Sequence, residues 1–299
     1  MTCQQEGNIL SLLGTDPDGL EAIELQKLMF VYSKTEEHVP SYEFIPFLKG
    51  CFSPTLANDV HKLAERHLVV EMRPSQGRHQ WRLTQAGEMN LIRFRATALR
   101  FAEFRRRYPL RGRELVADVY RKYPYWAVKS QIADVVLFGD DVSLQAIDRA
   151  RPTSRTSLAS IGYEGRSFED YLNALIVNGI TVLCDVRRNP ISRKYGFSKT
   201  ALQNACEGLG ITYRHFPELG IPSDERQDLR YQADYDDLFA RYERSVLPDA
   251  LDSVQAICSM VETDQCVAVT CFEKNPAQCH RTRVLNAVTV RTGVMADLI

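Results

Sequence analysis

From Ser157 to the end of the chain, short apolar runs alternate with stretches of helical period, and this alternation limits the possible folds more than any other feature. Ser157 to Gly162, Ile180 to Val186, Ile211 to Phe216 and Cys266 to Cys271 read as strands. Phe168 to Asn178, Ser198 to Leu209, Tyr231 to Glu262 (broken near Pro248) and a segment from about Ala277 to about Arg291 read as helices. Ile180 to Val186 is nearly continuously apolar, as expected when both sheet faces are covered. The pattern predicts an α/β domain with a largely parallel sheet and flanking helices.

Upstream the pattern changes. Ile23 to Tyr32 has helical spacing, Ser53-Pro54 reads as the capped start of a helix running to about His67, and Leu68 to Met72 and Gln80 to Thr84 read as a hairpin turned over Arg73 to Arg78. Helix, helix and two-stranded wing predict a winged-helix-like α+β domain over 1–90. Leu91 to Arg107 and Gly112 to Arg121 read as basic helices in a connector over 91–150. The polar, Pro/Ser/Thr-rich stretch Arg151 to Ser157 marks the start of the α/β domain, 151–299.

A chain of 299 residues suits domains of ordinary size, and 44% hydrophobic with 25% charged residues excludes disorder as the default. No run approaches the roughly 18–20 apolar residues of a membrane span, and the N-terminal residues lack signal-peptide character. The expectation is a cytoplasmic protein with no membrane partner. There the eight cysteines are buried thiols, ligands or catalytic groups; no pair has C-x-x-C spacing.

Charge is unevenly spread. Arg73 to Lys129 holds fourteen basic against four acidic residues, an excess of +10 in a chain of net charge −1. Trp81, Phe94, Phe101, Phe104, Tyr108, Tyr120, Tyr123, Tyr125 and Trp126 are interleaved with them. Basic residues attract phosphate backbones and exposed aromatics stack on bases, so nucleic acid, DNA favoured, is the expected partner, with Arg105, Arg106, Arg107, Arg111 and Arg113 as contacts. The competing reading is a solvated helical face with its aromatics in the core.

In the α/β half, polar clusters fall after the strands: Tyr163, Glu164 and Arg166; Asp185, Arg187, Arg188, Arg193 and Lys194; His215 and Glu218; Cys271 and Glu273, with Cys279, His280 and Arg281 opening the last helix. The carboxyl ends of parallel strands share one edge, where ligand crevices form. Arg166, Arg187, Arg188, Arg193, Lys194 and Arg281 outnumber the nearby carboxylates, and a helix N-terminus adds N–H donors, so a phosphate-bearing ligand such as a nucleotide is expected. Pairing of individual arginines with Asp185, Glu218 or Glu273 is the structural alternative.

The strings SIGYEGRSFEDYL, LCDVRRNPISRKYGFSK, RHFPELG and CFEKNPAQCHR resemble the motifs of the domain of unknown function 488 family from about Ser157 onward. The resemblance implies a compact α/β domain with its motif residues around one pocket. The string from LQKLMFVYSK through YEFIPFLKGCFSPTLANDVHKLAERHLV resembles the Panacea-type antitoxin and regulatory domain, with Gly50-Cys51-Phe52-Ser53 where that domain has Gly-Pro-x-Ser.

Three roles remain open. In the first, a nucleic-acid-directed enzyme acts on a base, a glycosidic bond or a phosphate. Glu164 or Glu273 supplies acid–base function, with Tyr163, Cys279 and His280 as further catalytic candidates. In the second, a non-catalytic regulator senses a nucleotide. In the third, Cys271 or Cys279 acts as the nucleophile of a transferase, although Cys271 to Arg281 is too long for the compact C-x5-R cradle. No cofactor is expected. Zinc on Cys271, Cys279 and His280 is disfavoured, because adjacent Cys and His side chains diverge and no fourth ligand is evident.

Overall fold

A computed structural model describes residues 1–73, 79–226 and 229–299, without the side chains of Ser223 and Asp224; most of the turn read over Arg73 to Arg78 lies outside the described residues. The chain divides into two compact units, Met1–Arg151 and Pro152–Ile299.

The first unit opens with a helix not anticipated from the sequence, α1 (Cys3–Leu13). Thr2 caps it reciprocally: its hydroxyl accepts from the Gln5 amide at 3.2 Å, and the Gln5 side chain accepts from the Thr2 amide at 2.7 Å. Then come β1 (Leu20–Glu21), α2 (Ala22–Thr35), the hairpin β2 (Ile45–Phe47) and β3 (Gly50–Phe52), α3 (Pro54–Glu65), β4 (Val69–Met72) and β5 (Gln80–Leu83). The α3 start follows the sequence reading, with Pro54 in the first turn and the Ser53 hydroxyl accepting from the Leu56 amide. β1, β5 and β4 form an antiparallel sheet, with Leu20 opposite Trp81 and Val70 opposite Arg82.

The basic stretch belongs to this same unit. It forms α4 (Gln85–Leu91), a 3-10 turn, α5 (Arg95–Arg107), α6 (Gly112–Lys122), α7 (Ala133–Val136) and α8 (Asp141–Arg149). Its apolar positions face inward: Phe101 stacks on Tyr32 at 3.9 Å between ring centres, and Phe101, Phe104 and Tyr120 are buried. Removing these rings from water outweighs keeping them for base stacking.

The second unit runs β6 (Leu158–Gly162), α9 (Phe168–Val177), β7 (Val182–Asp185), α10 (Lys199–Gly208), β8 (Thr212–His215), α11 (Gln232–Asp249), α12 (Leu251–Glu262), β9 (Val267–Cys271), α13 (Arg281–Thr292) and β10 (Asp297–Leu298). All five strands are parallel in the order β10-β6-β9-β7-β8. Every residue of β6, β7 and β9 is buried, which explains their apolar character. β9 inserts between β6 and β7, so the loops leaving these three strands meet at one edge. β10, two residues long at the sheet edge, carries too short a pattern to read from sequence.

The last helix starts later than expected. Pro276–Gln278 forms a 3-10 turn, Cys279 is extended, and α13 begins at Arg281. No helix among the described residues is long and apolar enough to cross a membrane.

Candidate functional site

β6, β7 and β9 end on a cleft of about 480 Å³, within the range of small-molecule sites. Tyr163 reaches it from β6, Arg187, Arg188, Arg193 and Lys194 from the β7–α10 loop, and Cys271, Phe272, Glu273 and His280 from the β9–α13 loop.

The floor is a buried network of hydrogen bonds. The Arg187 Nε lies 2.8 and 3.1 Å from the two Asp185 oxygens and its Nη2 lies 2.5 Å from Oδ2, while Nη1 donates to the Tyr163 hydroxyl at 2.9 Å and to the Phe197 carbonyl at 2.8 Å. The Tyr213 hydroxyl donates to Asp185 at 2.6 Å. Burial opposes the Arg187 charge, and the Asp185 bonds more than restore it. Arg187, expected to bind phosphate, also organises the site from beneath: Asp185, Tyr163 and Phe197 take all but one of its N–H donors, and it still lines the cleft. Tyr163 is fixed by the same bond and stacks on Phe197 at 4.3 Å.

His215 is also structural. Lys199 Nζ donates to its Nδ1 at 3.1 Å, so Nε2 carries the proton it gives to the Arg187 carbonyl at 2.9 Å. Two glycines permit the close approach of these loops. A Cβ on Gly162 would lie 2.1 Å from the Glu273 carbonyl oxygen, and one on Gly220 would lie 2.1 Å from the Arg188 amide nitrogen.

Four expected residues stand elsewhere. Arg166 donates to the Ile299 carbonyl and lies 3.8 Å from Asp170. Glu218 is exposed, with Ser253 as its partner at 3.5 Å. Glu164 accepts from the Lys274 amide at 2.9 Å, tying two loops together outside the cleft lining. Arg281 is completely buried, bonded to Ser160 and to the Glu273 and Lys274 carbonyls, so it shapes the β9–α13 loop and presents no cation. Two of the opening amides of α13 are engaged, Thr282 and Arg283 donating to the Cys279 and His280 carbonyls.

At the rim, Arg188, Arg193 and Lys194 have no ion-pair partner among the described residues. Arg188 reaches only the Pro217 carbonyl at 3.5 Å, and Lys194 donates to the Tyr163 carbonyl at 2.8 Å. Burial lowers the Lys194 ammonium below its ordinary value, partly offset by Glu164. Arg226, unmarked in the sequence because it follows no strand, pairs with Glu273.

Beneath Glu273 lie two thiols and an imidazole. Cys271 donates to Glu273 Oε2 at 3.2 Å, and its sulfur is 3.9 Å from His280 Nδ1. His280 Nε2 lies 2.9 Å from the Val186 carbonyl, which fixes the proton there. A hydrogen bond from Cys279 holds the Cys271 thiol well below its ordinary range against burial, helped by His280 and Arg226; burial and Cys271 push Cys279 up. The expected divergence of Cys279 and His280 does not occur. Cys279 is extended and His280 helical, and this change of backbone conformation swings both side chains toward Cys271.

In the first unit, most of the expected nucleic-acid contacts are engaged. Arg111 bonds to Asp16, Glu24 and the Gly19 carbonyl, Arg105 to the Tyr108 and Leu110 carbonyls, Arg107 to Glu36, and Arg113 to the Val135 and Val136 carbonyls. Arg106 is exposed, as are Arg93, Arg95 and Arg100, and none of the four has a carboxylate partner among the described residues.

Residues 167–288 match the family model described as Domain of unknown function DUF488. No curated protein and no solved structure matches the chain.

Proposed function

With residues 167–288 assigned to a family whose description leaves its chemistry open, we propose that the C-terminal unit is an enzyme acting on a phosphate-bearing substrate of the nucleotide or nucleic-acid class. One observation carries this reading: among the described residues, Arg188, Arg193 and Lys194 line one cleft without carboxylate partners, while the lining carboxylate Glu273 is already paired with Arg226. Three cations without an ion-pair partner among the described residues, beside a hydrogen-bonded floor, favour a multiply charged anion, and a guanidinium fork matches phosphate geometry. Glu273 is the acid–base group within that cleft, since Glu164 lies outside it. Tyr163 supplies a fixed hydroxyl.

The test is to incubate full-length protein with nucleoside phosphates and with single- and double-stranded oligonucleotides, then follow released base, phosphate and strand breaks by mass spectrometry. Turnover is expected to raise KM in Arg193→Ala and to lose kcat in Glu273→Gln. A ligand that binds and leaves chemically intact would support the sensor reading instead. No product across metals and pH, with binding unaffected by Arg193→Ala, would overturn both.

A further inference from the structure

We propose that Cys271, Cys279 and His280 bind a zinc ion at the floor of the cleft, with the fourth coordination position open toward Glu273. The two sulfurs and the imidazole nitrogen all lie within 4.8 Å of one another, and all three residues are buried. Zinc–sulfur bonds of about 2.3 Å and zinc–nitrogen bonds of about 2.0–2.1 Å at tetrahedral angles separate ligand atoms by roughly 3.5–3.8 Å. The 3.9 Å between Cys271 Sγ and His280 Nδ1 needs only a small contraction to meet that.

The imidazole is already oriented for the metal. Its Nε2 proton is held by the Val186 carbonyl, which leaves the Nδ1 lone pair toward the sulfurs. A carbonyl on the far nitrogen is the usual way a ligating histidine is fixed. The backbone that presents the ligands is fixed as well: the Asn275 side chain caps the Pro276–Gln278 turn, and Arg281 clamps the Glu273 and Lys274 carbonyls. Two thiolates with one imidazole select zinc over magnesium or calcium, which take oxygen ligands.

The coordination is incomplete on the cleft side. Cys271 and His280 line the cleft while Cys279 lies behind them, and Glu273 Oε2 is 3.2 Å from Cys271 Sγ. Three protein ligands with an open fourth position, Cys2His here, is the arrangement of catalytic zinc, whereas structural sites close with four. Both sulfurs bind as thiolates, so affinity rises with pH until both are deprotonated. The metal would activate water, or polarise an oxygen of a substrate held by the rim cations. The site itself does not depend on the substrate assignment.

The experiment uses full-length protein stripped with chelator and titrated with Zn²⁺ alone. Native mass spectrometry is expected to show one zinc ion per chain. X-ray absorption is expected to show two sulfurs at about 2.3 Å and a nitrogen at about 2.0–2.1 Å. Cys279→Ser should weaken binding by more than about 10-fold, the lower bound for loss of even an outer partner, while Cys3→Ser changes nothing. Should Cys279→Ser fail to fold, Co²⁺ substitution in the unaltered chain still reads the ligands through the thiolate-to-cobalt absorption band. Folded wild-type protein that takes up no stoichiometric zinc, or a metal surrounded only by nitrogen and oxygen, overturns the site. Alkylation of Cys271 at neutral pH that Zn²⁺ does not slow also overturns it, in favour of a free nucleophilic thiolate. Each of these outcomes leaves the phosphate reading standing, because that reading fails only in the ligand assays.

Discussion

The Asp185–Arg187 pair illustrates how one residue type can serve two purposes in the same loop. Both side chains are nearly inaccessible, and removing one partner of a buried pair leaves an uncompensated charge that costs about 3–5 kcal/mol. Asp185→Asn is therefore expected to lower the unfolding free energy of the C-terminal unit by roughly that amount in a denaturant titration; a loss under about 1 kcal/mol would show that the pair is not structural. Arg193→Ala, at an exposed position, should leave the same curve unchanged. The sequence displayed Asp185 and Arg187 as part of a cationic cluster but did not separate the buried guanidinium from the free ones. Residues two apart at a strand end share a side, which allows the pairing, yet the third and fourth partners, Tyr163 and Phe197, are supplied by the fold. Glu24 makes a parallel case in the first unit. Burial raises its carboxyl, but Arg111, the Gly112 and Glu21 amides and the Arg111 charge together hold it below its ordinary value of 4.5. A depressed carboxylate stabilises the fold above its unfolded value, and that contribution disappears as pH falls through the folded one. The urea midpoint of the wild type should thus fall more steeply below pH 4.5 than that of Glu24→Gln. Equal slopes would remove Glu24 from the account.

At the level of elements, the β9–α13 loop is the part whose shape matters most and whose sequence disclosed least. β6, β7 and β9 were legible because a buried parallel sheet demands apolar runs, and α9 and α10 because of their helical spacing, with Ser198 where α10 begins. The start of α13 was misplaced by four residues because Pro276 resembles a first-turn proline. Here it opens a 3-10 turn that leaves Cys279 extended. Arg281 looked like an exposed phosphate ligand for the same reason: nothing in the local pattern shows that its guanidinium turns back onto its own loop. Gly162 is the counterpart on β6, since it faces the Glu273 carbonyl where any Cβ would collide. Gly162→Ala is expected to push this loop away and disrupt the Arg281 clamp. The protein should stay folded by far-UV circular dichroism, with faster amide exchange at residues 273–281 than in the wild type. Unchanged exchange there would show that the loop does not depend on the close approach.

For the whole molecule, the excess of positive charge upstream survives, but on different residues from those expected. Tight neighbours engage Arg105, Arg107, Arg111 and Arg113, whereas Arg93, Arg95, Arg100 and Arg106 stay exposed. A charge count along a sequence does not show which cations will find carboxylates or helix-end carbonyls in the fold. The aromatic interleaving misled for a related reason: Phe101, Phe104 and Tyr120 are what attach the basic helices to the core. If nucleic acid is the substrate, Arg95→Glu with Arg106→Glu should weaken oligonucleotide binding and flatten its salt dependence, while Arg111→Ala should act mainly on stability. In the second unit, the assembly of three loops at one sheet edge follows from β9 lying between β6 and β7, an order that strand alternation does not reveal. The claim on which the rest depends is that the rim cations of this cleft bind phosphate. Calorimetric titration of full-length protein with a nucleoside triphosphate at low and moderate salt tests it most directly. One site per chain that weakens with salt is expected, with Arg188→Ala, Arg193→Ala and Lys194→Ala each losing about 1.5–3 kcal/mol, as for a hydrogen bond to a charged group, and Arg166→Ala binding as the wild type does. Binding unchanged in all three rim variants, or no less affected in Arg166→Ala than in them, would contradict the account.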